Sequence, residues 1–229
     1  MGLFSPMLAV ALCVSSALGQ PPPLYLDPNA SIADRADDLL SRMTLAEKIA
    51  QTWAPYGTLG GTDAIAAAYN GTGVGMLAYK VAGSSDPATM AATRNDVQRV
   101  IVEGSRLGIP ASFSQEALHS SAVGGVVFPE SVTLGATWDV ALVEEVSAAI
   151  AREARSLGID VAFAPVINLW SDARFGRLQE GYSEDPSLTA ALATAAVRGF
   201  QGAGSQPAGG AWGPFAPDRM VALAKHYAA

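Results

Sequence analysis

The chain has 229 residues, half of them hydrophobic, with a formal charge of −7 and two histidines. That apolar content suffices for a large core, and the length fits one domain. The acidic balance argues against a nucleic-acid partner, which would require a basic surface, and suits a neutral substrate.

The first twenty residues contain no Asp, Glu, Lys or Arg, and Met7 to Leu18 is mostly apolar. Ala17-Leu18-Gly19 places small residues at the −3 and −1 positions before Gln20. This predicts a secretory signal peptide over residues 1–19, although the usual positive start is missing, and a secreted, extracellular or vacuolar destination. Twelve apolar residues are too few to span a bilayer, and no later run is long enough, so no membrane partner is expected after signal removal. The one cysteine, Cys13, lies in that segment, which leaves the mature chain without a disulfide. Two acceptor triplets for N-glycosylation, Asn29-Ala-Ser31 and Asn70-Gly-Thr72, are compatible with secretion.

Residues 20–31, opening with Pro21-Pro22-Pro23, read as an extended leader, and residues 32–229 as one domain. Ile32, Ala36, Leu39, Leu40 and Met43 recur at helical spacing. Thr44-x-x-Glu47 forms a capping box for a second helix, along which Leu45, Ile49 and Trp53 fall on one stripe, with Trp53 expected to pack into the core. Val74 to Tyr79 reads as a buried strand. Asp86-Pro87 places a cap and then proline at the first helical position, opening a helix that runs through Val97 and Ile101 to a stop at Gly108. Ile109 to Phe113 is the next strand. Val143, Val146, Ile150, Ala154 and Leu157 mark a helix stopped by Gly158. Asp160 to Asn168 reads as a strand. Asp185-Pro186 opens a helix with Leu188, Leu192, Ala195 and Gly199 on one stripe. Residues 201–217 form a Gly/Pro-rich loop, and Met220 to His226 is the last strand.

Strands alternating with helices leave two architectures, an open doubly wound sheet or a (β/α)8 barrel. Gly71, Gly73 and Gly75 alternate, but the third glycine of a dinucleotide fingerprint is missing. The charged loop 172–186, placed directly after a strand, favours the barrel. Polar clusters follow three successive strands: Gln115 to His119, Arg174 to Asp185, and Lys225-His226. In a barrel they would converge on the face where the strands end. Adjacent residues of a regular strand point to opposite faces, so if Lys225 and His226 both face one site the backbone there must form a bulge or a cis peptide.

The pattern resembles family 3 glycoside hydrolases, the β-glucosidase and β-xylosidase group, over roughly residues 32–229. The matching segments are Arg42-Met-Thr-Leu-Ala-Glu-Lys-Ile, Glu116-Ala-Leu-His119, Phe128-Pro-Glu-Ser-Val-Thr-Leu-Gly-Ala-Thr-Trp-Asp139, Gly176-Arg177 with Glu180 and Ser183-Glu-Asp-Pro186, and Lys225-His226. The resemblance implies a TIM-like barrel and a retaining enzyme without cofactor or metal. Such an enzyme removes β-linked glucosyl or xylosyl residues from a non-reducing end. It further implies that Glu116, Arg177, Lys225 and His226 bind the sugar, with Lys225 and His226 as donors. A carboxylate can accept from two neighbouring hydroxyls, and a guanidinium fork can bridge two oxygens. His119 reads as a residue that orients its loop. Glu180, Glu184 and Asp185 read as supports for Arg177, with a helix cap as the other role for Asp185. Arg174 reads as a solvated cation.

Ser120 stands where the family usually has glycine, and Ser171-Asp-Ala-Arg-Phe-Gly-Arg177 replaces its common Arg-Asp-Pro-Arg-Trp-Gly-Arg. The N-acetylglucosaminidase branch carries Lys-His-Phe-Pro-Gly, whereas this chain has Lys225-His-Tyr-Ala-Ala229. The resemblance places the nucleophile Asp and the acid/base Glu after residue 229. The chain is therefore expected to hold about the first half of a barrel, to have no turnover alone, and to count the missing C-terminal half among its partners. A non-catalytic remnant that binds sugar or a protein partner is the alternative. A metal hydrolase lacks support because no HExxH or cysteine cluster exists, and a serine hydrolase because no G-x-S-x-G elbow exists.

Overall fold

The computed structural model describes residues 23–59, 61–81, 86–121, 125–202 and 216–227. The predicted signal peptide, Cys13 and most of the Gly/Pro-rich loop lie outside the described residues. The chain divides into two compact units, Met1–Met43 and Thr44–Ala229.

The described part of the first unit is a 3-10 turn, Leu24–Leu26, and helix α1, Ile32–Arg42. Ser31 caps α1 by accepting from the Asp34 amide. Polar bonds tie turn to helix: the Tyr25 amide donates to Asp38 Oδ2 at 3.0 Å, and Arg35 Nε to the Tyr25 carbonyl at 3.0 Å. No residue of α1 is buried.

The second unit begins with α2, Leu45–Gln51, whose N-terminus is the predicted capping box. The expected core packing of Trp53 is corrected: it is 60% exposed, with Leu45 and Ile49 of the same stripe at 74% and 60%, while Glu47 is buried. An ion pair turns the helix this way. Arg106, just beyond α4, places Nε 2.9 Å from Glu47 Oε1 and Nη2 2.7 Å from Oε2. A carboxylate already fixed by Thr44 therefore faces inward, and the apolar stripe faces out. The Arg106 hydrogen bonds, followed by those of Thr44, lower the Glu47 carboxyl to about 2.

Strands and helices then alternate: β1 (Tyr56–Leu59), α3 (Thr62–Tyr69), β2 (Met76–Val81), α4 (Pro87–Gly104), β3 (Ser112–Gln115), α5 (Ser131–Gly135), α6 (Val140–Ser156), β4 (Val161–Ala162), α7 (Pro186–Gln201) and β5 (Val221–Ala222). The strands pair in chain order and all in parallel, with Tyr56 beside Ala78, Met76 beside Ser112, Ser114 beside Val161, and Val161 beside Val221. The fold is α/β, the arrangement of a partial (β/α)8 barrel preceded by N-terminal helices.

The predicted helix starts at Asp86-Pro87 and Asp185-Pro186 match the structure, each aspartate accepting from an amide three residues on. Gly158 ends α6 with φ +80°, in a Schellman arrangement: its amide meets the Arg155 carbonyl and that of Ile159 meets Ala154. Four predictions are corrected. Strand β1 and helix α3 were missed, because Tyr-Gly-Thr-Leu shows no alternation and α3 offers only Ile65 and Tyr69 as large buried residues. Helix α4 ends at Gly104 rather than Gly108, since Ser105 leaves to bridge Gly71. The strand expected over 109–113 begins at Ser112, after Pro110, which has no amide to donate. The long strands expected over 160–168 and 220–226 are two-residue ladders, followed by a separate bridge of Val166 to Lys225.

Two cores hold the sheet to its helices. Ile65, Leu77, Val97, Ile101 and Phe113 form one. Val143, Ile150, Ile159, Leu192, Phe200 and Met220 belong to the larger, in which α6 and α7 meet. Because Phe113 faces the helices, its neighbour Ser114 faces the other side of the sheet.

Candidate functional site

Beyond the strand ends lies a cleft of about 610 Å³, lined among others by Ser114, Glu116, His119, Phe163, Arg177 and Glu180. Its charged groups Glu116, Arg177 and Glu180 come from loops after successive strands. The loop after β3 carries Glu116 and His119. The loop after β4 carries Arg177 and Glu180. Lys225 and His226 follow β5; they are not among the lining residues and meet the lining through their partners. The Lys225 ammonium pairs with Glu116 Oε2, and His226 Nε2 lies 3.4 Å from Arg177 Nη2.

The loop after β4 is shaped by two 3-10 turns, Ala173–Phe175 and Leu178–Glu180. Asp172 caps the first, and Gly176 between them adopts φ +79°, which glycine reaches without cost. Arg177 thereby presents its fork to Glu180, Nε to Oε1 and Nη2 to Oε2, each at 2.6 Å. This pair holds the Glu180 carboxyl below its ordinary value and the guanidinium above its own. The segment 128–139 supplies α5 as a support. Gly135 comes so close to the site loop that a Cβ there would lie 1.9 Å from the Tyr182 carbonyl oxygen.

The Lys225–His226 peptide is cis, the second of the two geometries expected there. The parallel bridge positions it: the Lys225 amide donates to the Pro165 carbonyl at 3.0 Å, and the Ile167 amide to the Lys225 carbonyl at 2.8 Å. Burial lowers the His226 pKa, followed by the positive charges of Arg177 and Lys225.

The supporting residues divide. His119 Nδ1 is 3.1 Å from the Phe128 carbonyl, and its own carbonyl accepts from the Phe128 amide at 2.8 Å, so it ties the two arms of its loop together. Glu180 is the partner of Arg177. Glu184 is exposed and makes no hydrogen bond to Arg177 among the described residues, and Asp185 is spent on capping α7. The cap read as the other role of Asp185 is the one present, and Glu184 does not meet Arg177, because Glu180, three residues on, already fills the fork. Arg174 is 90% exposed and pairs with Asp172. The sequence reading missed Asn168, taken as the end of a strand. It is buried, and Oδ1 lies 2.8 Å from His226 Nδ1 and 3.2 Å from the His226 amide. A lone amide closing the apolar run 161–167 was the available signal. Among the described residues, no three His, Cys, Asp or Glu side chains cluster as metal ligands would.

The model of the glycosyl hydrolase family 3 N terminal domain matches residues 44–229. A periplasmic beta-glucosidase/beta-xylosidase of Dickeya chrysanthemi is 33% identical over 197 residues, 77% of this chain and 30% of its own length. The solved structure of a β-glucosidase from Erythrobacter marinus superposes with a TM-score of 0.73 at 31% identity, covering 91% of this chain and 27% of that one. A β-glucosidase from Listeria innocua in complex with glucose superposes at 0.65 and 28% identity, covering 85% and 26%. The chain thus spans less than a third of the length of such relatives.

Proposed function

This chain belongs to glycosyl hydrolase family 3, and on that footing we propose that its cleft holds the non-reducing-end sugar of a β-glucoside or β-xyloside for retaining hydrolysis. Glu116, Arg177, Lys225 and His226 are the sugar-positioning residues. One observation carries the reading: loops after three successive strands bring these four side chains into one connected cluster at a cleft. Sugar hydroxyls both donate and accept, and the cluster offers both donors and acceptors: Lys225 pairs with Glu116, and Arg177 with Glu180. The cleft volume is in the usual range of about 300–1,000 Å³ for small-molecule sites.

The nucleophile Asp and the acid/base Glu are proposed to come from sequence after residue 229 in a longer product. Glu180 is unsuited to the acid role, since Arg177 favours its ionised form while a general acid must be protonated at working pH. The open edges at β1 and β5 fit a sheet that continues into further strands. Secretion through residues 1–19 belongs to the same proposal.

Sequencing the transcript beyond codon 229 tests this directly. An open frame supplying an Asp-bearing strand calls for assays of the complete product on aryl β-glucosides and β-xylosides. There, Arg177→Ala and Lys225→Ala are each expected to lower kcat/KM by about 10²–10⁴-fold, or about 3–5 kcal/mol. A loss below about threefold in both would refute the site. If a stop codon follows, the full chain is expected to bind glucose without hydrolysing β-glucosides, and binding without loss in Arg177→Ala would equally refute it.

A further inference from the structure

We propose that Asn168 is a positioning residue that fixes His226 as its Nδ1–H tautomer and turns the Nε2 lone pair toward Arg177. The argument begins with what each partner can do. A backbone amide only donates, so the His226 amide 3.2 Å away requires the oxygen of the Asn168 side chain, not its NH2, on this side. That same oxygen lies 2.8 Å from His226 Nδ1, and an amide oxygen only accepts. The proton is therefore on Nδ1. At the other side of the ring, Arg177 Nη2 is 3.4 Å from Nε2, and a guanidinium only donates. Nε2 must then be bare. The two contacts are unequal: the 2.8 Å bond to Asn168 fixes the tautomer, and the 3.4 Å approach of Arg177 is compatible with it.

The fold makes the arrangement. The bridge of Val166 to Lys225 puts residues 165–168 alongside 225–226, and burial leaves Asn168 little freedom to turn away. The result is a chain of hydrogen bonds of one direction: Arg177 into His226, His226 into Asn168. It reverses the donor role read for His226 from sequence. A hydroxyl that takes the place of Arg177 at Nε2 must donate its proton there, so the hydroxyl is the donor at His226 and the acceptor at Lys225. This last step rests on the sugar-binding reading; the tautomer does not.

Imidazole ¹⁵N resonances of the full chain, measured without sugar, test the proposal. Only two histidines contribute, and His119→Asn assigns them. The neutral His226 ring is expected to show a protonated Nδ1 and a bare Nε2. Asn168→Ala should move His226 toward the Nε2–H form and leave the His119 signals in place. Asn168→Asp should keep Nδ1–H and raise the His226 pKa, against the opposing charges of Arg177 and Lys225 and alongside those of Glu180 and Glu116. A wild-type ring with Nε2–H, or an Asn168→Ala chain that keeps the tautomer unchanged, overturns the proposal. Should Asn168→Ala unfold, both histidines shift together, and the wild-type and Asn168→Asp spectra decide. Failure to bind glucose with the Nδ1–H form intact would count against the sugar reading alone.

Discussion

Gly199→Ala separates two physical effects by sign. Gly199 lies inside α7, where alanine is favoured over glycine by about 1 kcal/mol on helix propensity alone. It is also where α7 crosses α6. A Cβ at this position would sit 2.3 Å from the Glu144 carbonyl oxygen, 2.6 Å from Ser147 Cβ and 3.0 Å from the Ala148 amide nitrogen. Two of these are backbone atoms of a neighbouring helix, which no rotamer change can move. The helices must separate, loosening the cluster that contains Val143, Ile150, Leu192 and Phe200. Overpacking a core costs about 1–3 kcal/mol, and contacts this short on backbone belong at the upper end. The net expectation is a loss of about 1–2 kcal/mol, which is a Tm lower by about 2–8 °C for a domain of this size. Urea denaturation should show a lower midpoint at unchanged slope. Gly104→Ala supplies the comparison. Its Cβ would meet only Asn70 Oδ1, at 3.4 Å, so that variant should be neutral or gain up to about 1 kcal/mol. A Gly199→Ala chain as stable as the parent would refute the close crossing of α6 and α7.

The Glu47–Arg106 pair predicts a pH window. The Glu47 carboxyl is lowered from 4.5 to about 2, so its contribution is full above pH 4.5 and disappears as pH falls toward 2. Glu47→Gln should be less stable at pH 7, with a gap to the parent that closes between pH 4.5 and 2 in urea melts; a constant gap would contradict the pairing. Leu45→Lys and Ile49→Lys should each change stability by less than about 0.5 kcal/mol, because both side chains are exposed, and a loss above about 2 kcal/mol would show that the stripe packs. Arg177→Lys should resemble Arg177→Ala in glucose titrations, since an ammonium keeps the charge but cannot span both Glu180 oxygens; wild-type affinity would show that charge alone suffices.

Much of the fold was legible where a local rule sufficed. Asp86-Pro87, Asp185-Pro186, the Thr44–Glu47 box and Gly158 mark helix ends by their own hydrogen bonds, and the structure keeps them. Patterns whose meaning depends on distant partners misled. The stripe Leu45, Ile49, Trp53 looks like a core face, yet the orientation of α2 follows from Arg106, 59 residues on. Strands β4 and β5 are short because the ladder is interrupted, and periodicity says little about a two-residue strand. At the site, the types Glu116, Arg177 and Lys225-His226 drew attention as charge in loops after strands. Asn168 drew none, since its importance lies in facing His226 across 58 residues of sequence.

The way charges are matched in the cleft argues for a division of labour. Retaining hydrolysis calls for two carboxyl groups about 5–5.5 Å apart with opposite duties, one an ionised nucleophile and the other a proton donor. Opposite duties require environments that drive the two groups apart in proton affinity. Two carboxylates of the cleft, Glu116 and Glu180, have cations instead. Glu180 sits in the fork of Arg177, and Glu116 accepts from Lys225. Each is a good acceptor for a hydroxyl, and Glu180, held below its ordinary value by Arg177, is a poor source of protons. The same pairing keeps the long Arg177 and Lys225 side chains ordered before any sugar arrives, lowering the entropy lost on binding. On this reading the described cleft is organised to hold a ring still. In the longer product proposed above, the residues that break the glycosidic bond would be brought to its open side by strands continuing from the sheet edge.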